Sequence, residues 1–158
     1  MPERLRLVVG SDDAGFDYKT RIAEDLREDP RVESVVDVGV DASDLSAASY
    51  GKVAIRAGEL IRAGEADRGV LICGTGIGVA IAANKVAGIR ATVAHDSYSV
   101  ERSILSNDCQ VLTMGQRVVG IELARRLVRE WLGYEFDPTT PSNEKVSVIR
   151  DYEERSAG

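Results

Sequence analysis

Soft metal ligands are scarce in this chain: it has one histidine and two cysteines. His95 stands alone, and Cys73 and Cys109 form no CxxC pair, which speaks against a structural zinc site or any other metal. Two thiols so far apart are read as free, in a reducing cytoplasm. A basic block is also missing. The 20 Lys and Arg are interspersed among 26 Asp and Glu, for a net charge of −6. Such a surface repels phosphate polymers, so no nucleic-acid partner is expected, and any bound phosphate is small and held by a few local groups. No apolar run approaches the roughly 18 residues of a membrane span. The opening "MPERLRLVVG" has no apolar stretch of the signal-peptide kind. No internal repeat or low-complexity tract interrupts the chain.

What is present is ordinary for a globular protein: 158 residues, 44% hydrophobic and 29% charged. One domain, 1–158, is expected, burying roughly 70% of its unfolded surface. Short apolar runs alternate with helical patterns. Strands are expected at 5–10, 32–39, 68–73, 89–94 and 109–115. Helices are expected at 16–29, 49–66, 78–88, 97–107 and 118–134, the last with Leu123, Leu127 and Trp131 in line. After a Pro-punctuated turn, Pro141 or Ser142 starts a final helix carrying Val146, Ile149 and Tyr152. Residues 136–158 then form an arm whose helix is expected to pack on a partner subunit. The alternation predicts an α/β chain with a three-layer, Rossmann-like fold and a five-stranded parallel sheet. Ligands of such sheets bind beyond the carboxyl ends of the strands. Those ends carry Ser11-Asp12-Asp13, Gly39, Cys73-Gly74-Thr75, His95-Asp96 and Gly115-Gln116-Arg117.

The stretch "RGVLICGTGIGVAIAANK" (68–85) reads as strand, tight loop and helix. A dinucleotide fingerprint is one reading, with Asp96 placed 22 residues after Gly74 as the ribose acid. The spacing, however, is GxGxG rather than GxGxxG, and the loop follows the third strand. A purely structural turn is a second reading, which leaves the cysteine at the strand end unexplained. The third is an anion hole, where successive N–H groups at a helix start favour a phosphate or a developing enolate. A cysteine beside such a helix start is favoured as thiolate, and a thiolate next to an oxyanion site suits proton abstraction beside a carbonyl. Cys109, with no glycine loop, is read as packing.

The blocks "GSDDAGFDYK", "DVG", "GEADRGVLICGTGIGVAIAANKVAGIRA", "ND" with "GQRVVG", and "DYE" resemble the type B ribose-5-phosphate isomerase family, which includes the galactose-6-phosphate isomerase subunits. The likeness runs from Gly10 to about Tyr152. It implies a cofactor-free, metal-free aldose–ketose isomerase of small sugar phosphates, working through an enediolate. It also implies a homodimer or a dimer of dimers with sites between subunits. By position, Cys73 is the implied base moving the proton between C1 and C2. Gly74, Gly76 and Gly78 are the implied enediolate hole, supported by Thr75. Asp12 and Asn107 are implied substrate-oxygen ligands, and Tyr50 an implied wall of the sugar pocket. Arg117 is an implied phosphate ligand, and Lys145 falls where the family has an arginine reaching the partner's phosphate.

Two departures bear on the substrate. Asp13 stands where the family usually has histidine, and Ser106 stands where it has the histidine linked to furanose ring opening. Serine transfers protons poorly at neutral pH. A tetrose 4-phosphate cannot close a five-membered ring, because its O4 carries the phosphate, so its isomerase needs no ring opener. The segments "AHDSYSVERSILSND" and "VVGIELARRLVREWLGYEFD" further resemble the subgroup acting on erythrulose 4-phosphate. The expected reaction is therefore D-erythrulose 4-phosphate to D-erythrose 4-phosphate. The ribose 5-phosphate/ribulose 5-phosphate pair and a non-catalytic sugar-phosphate binder are the alternatives. His95, at a strand end, is a candidate acid–base group or a structural one.

Overall fold

A computed structural model of the chain describes residues 3–157. Five strands form one parallel sheet in the order β2-β1-β3-β5-β4. They are β1 (Leu5–Ser11), β2 (Val32–Asp37), β3 (Arg68–Cys73), β4 (Ala91–Val93) and β5 (Val111–Gly115). The helices are α1 (Phe16–Glu28), α2 (Tyr50–Arg62), α3 (Ile77–Ala83), α4 (Ser97–Leu105), α5 (Ile121–Leu132) and α6 (Ser142–Ser156).

The inner strands β1, β3 and β5 are buried on both faces because helices cover both sides of the sheet, whereas the edge strand β2 buries only Val32 fully. Along β1, Leu7 and Val9 face a core shared with α1, α4 and α5, where Ile22, Leu26, Ile104, Leu127 and Trp131 are buried. Val8 faces the opposite core, built by Val53 and Ala57 of α2 and Val79 and Ala83 of α3. The same period of two puts Val70 and Ile72 of β3 on the first face, and Leu71 and Cys73 on the second. The expected three-layer arrangement is thus present, with Cys73 directed at the α2/α3 side.

Alternation along the chain does not reveal that β5 lies inside the sheet and β4 at its edge. Burial accounts for it. Every residue of β5 is buried, whereas β4 is three residues long and half-buried beyond Ala91. Several element ends also shift. α5 starts at Ile121 rather than 118, because Gly120 is extended (φ −69°, ψ 154°) and caps it. Residues 116–119 are freed as a turn that carries Arg117. Leu123 is exposed, and the inward face of α5 is Ala124, Leu127, Val128 and Trp131. α3 stops at Ala83, where Asn84 turns its amide onto the edge strand: Nδ2 donates to the Ala91 carbonyl at 2.8 Å, and Oδ1 accepts from the Ala91 N–H at 2.7 Å. On α6, Val146 is buried while Ile149 and Tyr152 are exposed.

Candidate active site

The carboxyl ends of β1, β3, β4 and β5 gather most of the singled-out residues. After β1, Asp12 caps a single 3₁₀ turn (Asp13–Gly15), its Oδ1 accepting from the Gly15 N–H at 3.1 Å. Gly15 lies directly on β3: a Cβ there would stand 2.4 Å from the Ile72 carbonyl oxygen. The Asp12 turn is thereby pinned one residue from Cys73. Burial pushes the Asp12 carboxyl above its ordinary value, and neighbouring Asp13 adds to this. Asp13 itself faces solvent.

Cys73 is buried, and the Gly76 N–H donates to its Sγ at 3.1 Å. The bend that aims this N–H has Gly76 at φ +80°, in the left-handed region. A Cβ on Gly76 would also stand 2.7 Å from the Met114 carbonyl carbon. Gly76→Ala is therefore expected to cost about 2–4 kcal/mol of stability, from left-handed strain plus overpacking. The loss would be read as a lower urea midpoint, together with lost activity from a displaced N–H. The loop is tied to the end of β5: Gln116 N–H donates to the Cys73 carbonyl at 2.9 Å, and Arg117 N–H to the Gly74 carbonyl at 3.0 Å. Thr75 is exposed, and its Oγ1 accepts from the Ile77 N–H at 3.2 Å.

Arg117 folds its guanidinium over Gly74, with Nη1 3.1 Å from where a Gly74 Cβ would be. It offers a cation at the start of the glycine loop. Tyr50 opens α2, and its ring rests on Gly78, where a Cβ would come within 2.6 Å of Cε2. The ring stays about half exposed, as a wall facing the loop. His95 accepts from the Gly115 N–H through Nε2 at 2.9 Å. Burial lowers its pKa, with the Asp96 charge opposing.

Asp96 caps α4, its Oδ1 accepting from the Ser99 N–H at 2.7 Å. Ser106 and Asn107 do not join the Cys73 cluster within one chain. α4 runs back from the carboxyl end of β4, so Asn107 lies at the opposite end of the strands, by the amino ends of β4 and β5. There Arg90, which precedes β4, donates to the Asn107 carbonyl at 3.1 Å. Ser106 Oγ accepts from Arg102 Nη1 at 3.3 Å. α6 is anchored at this same end, where Glu153 Oε1 accepts from the Gly88 N–H, and Lys145 is exposed on it.

Other contributors were not singled out by the sequence. Thr113 Oγ1 donates to the Gly76 carbonyl at 2.7 Å and braces the loop from beneath. Lys19 is 3% exposed, and its Nζ reaches Asp37 Oδ2 at 2.6 Å and the Val40 carbonyl at 3.0 Å. Lys19 shares the face of α1 that buries Ile22, Ala23 and Leu26, and what the sequence does not mark is the partner that neutralises it. The second cysteine is of a different kind. Burial pushes the Cys109 thiol up to about 11, which leaves a thiolate fraction of order 10⁻⁴ at pH 7. Among the described residues no three His, Cys, Asp or Glu side chains cluster so as to hold a metal ion, and no helix is long and apolar enough to cross a membrane.

A family model described as Ribose/Galactose Isomerase matches residues 7–149. The chain belongs to the ribose/galactose isomerase family. A D-erythrulose-4-phosphate isomerase 2 of Mycolicibacterium smegmatis is 61% identical over 149 residues, covering 94% of this chain and 97% of that protein. The ribose-5-phosphate isomerase B of Escherichia coli is 40% identical over 150 residues, covering 95% and 97%. Among solved structures, ribose-5-phosphate isomerase B of Clostridium thermocellum superposes with a TM-score of 0.87 at 38% identity, covering 95% of this chain and 98% of that one. The chain is a sugar-phosphate isomerase, an enzyme that interconverts aldoses and ketoses.

Proposed function

We propose that the chain interconverts D-erythrose 4-phosphate and D-erythrulose 4-phosphate, with Cys73 as the base. The observation that carries the base is the Gly76 N–H directed at Cys73 Sγ, at the carboxyl end of β3, with Arg117 over Gly74, Tyr50 on Gly78 and the Asp12 turn packed on Ile72. The thiolate takes the C2 proton of the aldose, and the electron pair moves onto the C1 oxygen to give an enediolate. N–H groups of the Gly74–Gly78 loop, with Thr75, stabilise that oxyanion. A proton passes from O2 to O1, the thiol returns its proton to C1, and the ketose results. Asp12 accepts from a substrate hydroxyl, Tyr50 walls the sugar, and Arg117 meets the phosphate.

A second copy of the chain completes this reading by supplying Asn107, Ser106 and Lys145. The position of Ser106 and Asn107 by the amino ends of their own β4 and β5 supports a homodimer, or a dimer of dimers, with shared sites. So do the exposed apolar residues Ile77 and Ile81 beside the loop and Val148, Ile149 and Tyr152 on α6. The four-carbon substrate is supported by the name of the 61% identical relative. It is supported too by Asp13 and Ser106, which stand where a pentose-phosphate enzyme of this kind has histidines. The test is an assay of purified protein against four-, five- and six-carbon sugar phosphates. The kcat/KM for erythrulose 4-phosphate is expected to exceed that for ribose 5-phosphate by about tenfold or more, the usual range for one carbon unit. A preference for the pentose phosphate would overturn the substrate assignment.

A further inference from the structure

We propose that His95 is a positioning residue, whose Nε2 completes the β5 ladder at Gly115 and thereby sets the bend that carries Thr75 and Gly76. The ladder between β4 and β5 runs as far as Val93 opposite Thr113, followed by the Ala94 N–H donating to the Thr113 carbonyl at 3.2 Å. There β4 ends. Two residues further along β5, the Gly115 N–H is taken up by the imidazole instead, at 2.9 Å. A buried N–H without an acceptor is costly, so the ring fixes where this end of β5 sits.

Gly115 is in turn the floor of the catalytic loop. A Cβ on it would stand 2.6 Å from both the carbonyl carbon and Cα of Thr75. It pairs with Cys73 across the β3/β5 ladder. Just before it, Thr113 holds the Gly76 carbonyl, and just after it, Gln116 holds the Cys73 carbonyl. A shift of Gly115 therefore displaces the Gly76 N–H from Cys73 Sγ. Because Nε2 accepts, the neutral ring carries its proton on Nδ1, and Nε2 has no proton to give a substrate.

Acceptance fails once the ring is protonated, since imidazolium has no free lone pair. Burial lowers the His95 pKa from 6.5. The native state therefore resists a proton that the unfolded chain binds, and this contribution to stability is present above pH 6.5 and is lost as pH falls below it. Asp96, on the same segment, is the charge acting on the ring. β3 brings Cys73 to the other side of Gly115, the turn after β5 brings Arg117, and α4 brings Tyr98. The first turn of α3 (Ile77, Gly78, Val79) brings no ionisable side chain.

The kinetic arm of the test rests on the isomerase reading above, while the spectroscopic arms do not. Nitrogen-15 NMR of the full chain at pH 7.5 is expected to show the Nδ1–H tautomer of His95. A ring protonated on Nε2 would overturn the proposal. In His95→Ala, hydrogen exchange at the Gly115 and Gly76 amides is expected to quicken about tenfold or more, and kcat to fall about 10- to 100-fold with KM little changed. Unaltered exchange and kcat would refute it. His95→Gln restores an acceptor without a titrating ring, and is expected to rescue kcat to within about threefold of wild type. A fall there of about 10²-fold, the size expected for a lost acid–base group, would make the imidazole itself catalytic and overturn the proposal. The ratio of kcat in His95→Gln to wild type is expected to rise as pH drops below 6.5, and a flat ratio counts against it. Wild type without any isomerase activity would sink the functional reading, and the NMR and exchange arms would still decide His95.

Discussion

Cys73→Ala is expected to lower kcat by about 10³- to 10⁴-fold, the upper range for loss of a general base, or about 4–5.5 kcal/mol in the barrier. The fold is expected to survive. Cys73 is 4% exposed, but only its sulfur is removed, and the loop retains its ties from Gln116, Arg117 and Thr113. Truncation by a single atom in a core costs about 1 kcal/mol, a shift of about 2–4 °C in Tm for a chain of this size. Activity and melting are thus separable, and a variant that melts near wild type yet turns over normally removes Cys73 from the mechanism. Cys109→Ala supplies the contrast. Its thiol is pushed to about 11 by burial, so it provides almost no thiolate at neutral pH, and turnover is expected to stay within about twofold. Iodoacetate inactivation should accordingly track Cys73, with sugar phosphate protecting.

Subunit complementation should give the second large effect. Cys73→Ala and Asn107→Ala homodimers are each expected to be nearly inactive, because every site lacks one group. If sites are shared, unfolding and refolding the two variants together restores activity. Random pairing of equal amounts makes half the dimers mixed, each with one intact site of two, so about one quarter of wild-type activity returns. This follows from where α4 ends. Asn107 lies beside Arg90, at the end of the strands away from the Cys73 loop, and one chain cannot present both groups to one sugar. If mixing restores nothing, Asn107 does not serve a site across an interface. Light scattering on wild type provides the companion measurement, and a monomer would defeat the shared site directly.

The central loop is the clearest case of a site legible in sequence. An apolar run ending in Cys73, followed by glycines at 74, 76 and 78, specifies a buried strand, a tight bend and a helix start, because each depends on local backbone freedom and side-chain type. The Asp12 turn is legible for the same reason: a short acid before a glycine caps a turn. Asp96 shows that one position can suit two roles. Its spacing from Gly74 suits a ribose ligand, but a carboxylate just before a helix is equally suited to capping it, and the cap is what forms. Lys19 shows a limit of the local pattern. Its spacing from Ile22, Ala23 and Leu26 puts it on the buried face of α1, but its partners, Asp37 and the Val40 carbonyl, are brought near by β2 and the loop after it and are not marked in the sequence around residue 19.

By itself the sequence determined the alternating elements, the two-sided burial of the inner strands, the glycine bend and the chemistry available in it. All of these arise from interactions between near neighbours in the chain. Only the tertiary structure decided that β5 sits inside β4, and hence that Gly115, Thr113 and His95 brace the loop. It also decided that Ser106 and Asn107 lie away from the Cys73 of their own chain. Strand order and the meeting of distant ends depend on which surfaces bury best against one another across the whole sheet, a property of the assembled layers that no local stretch encodes.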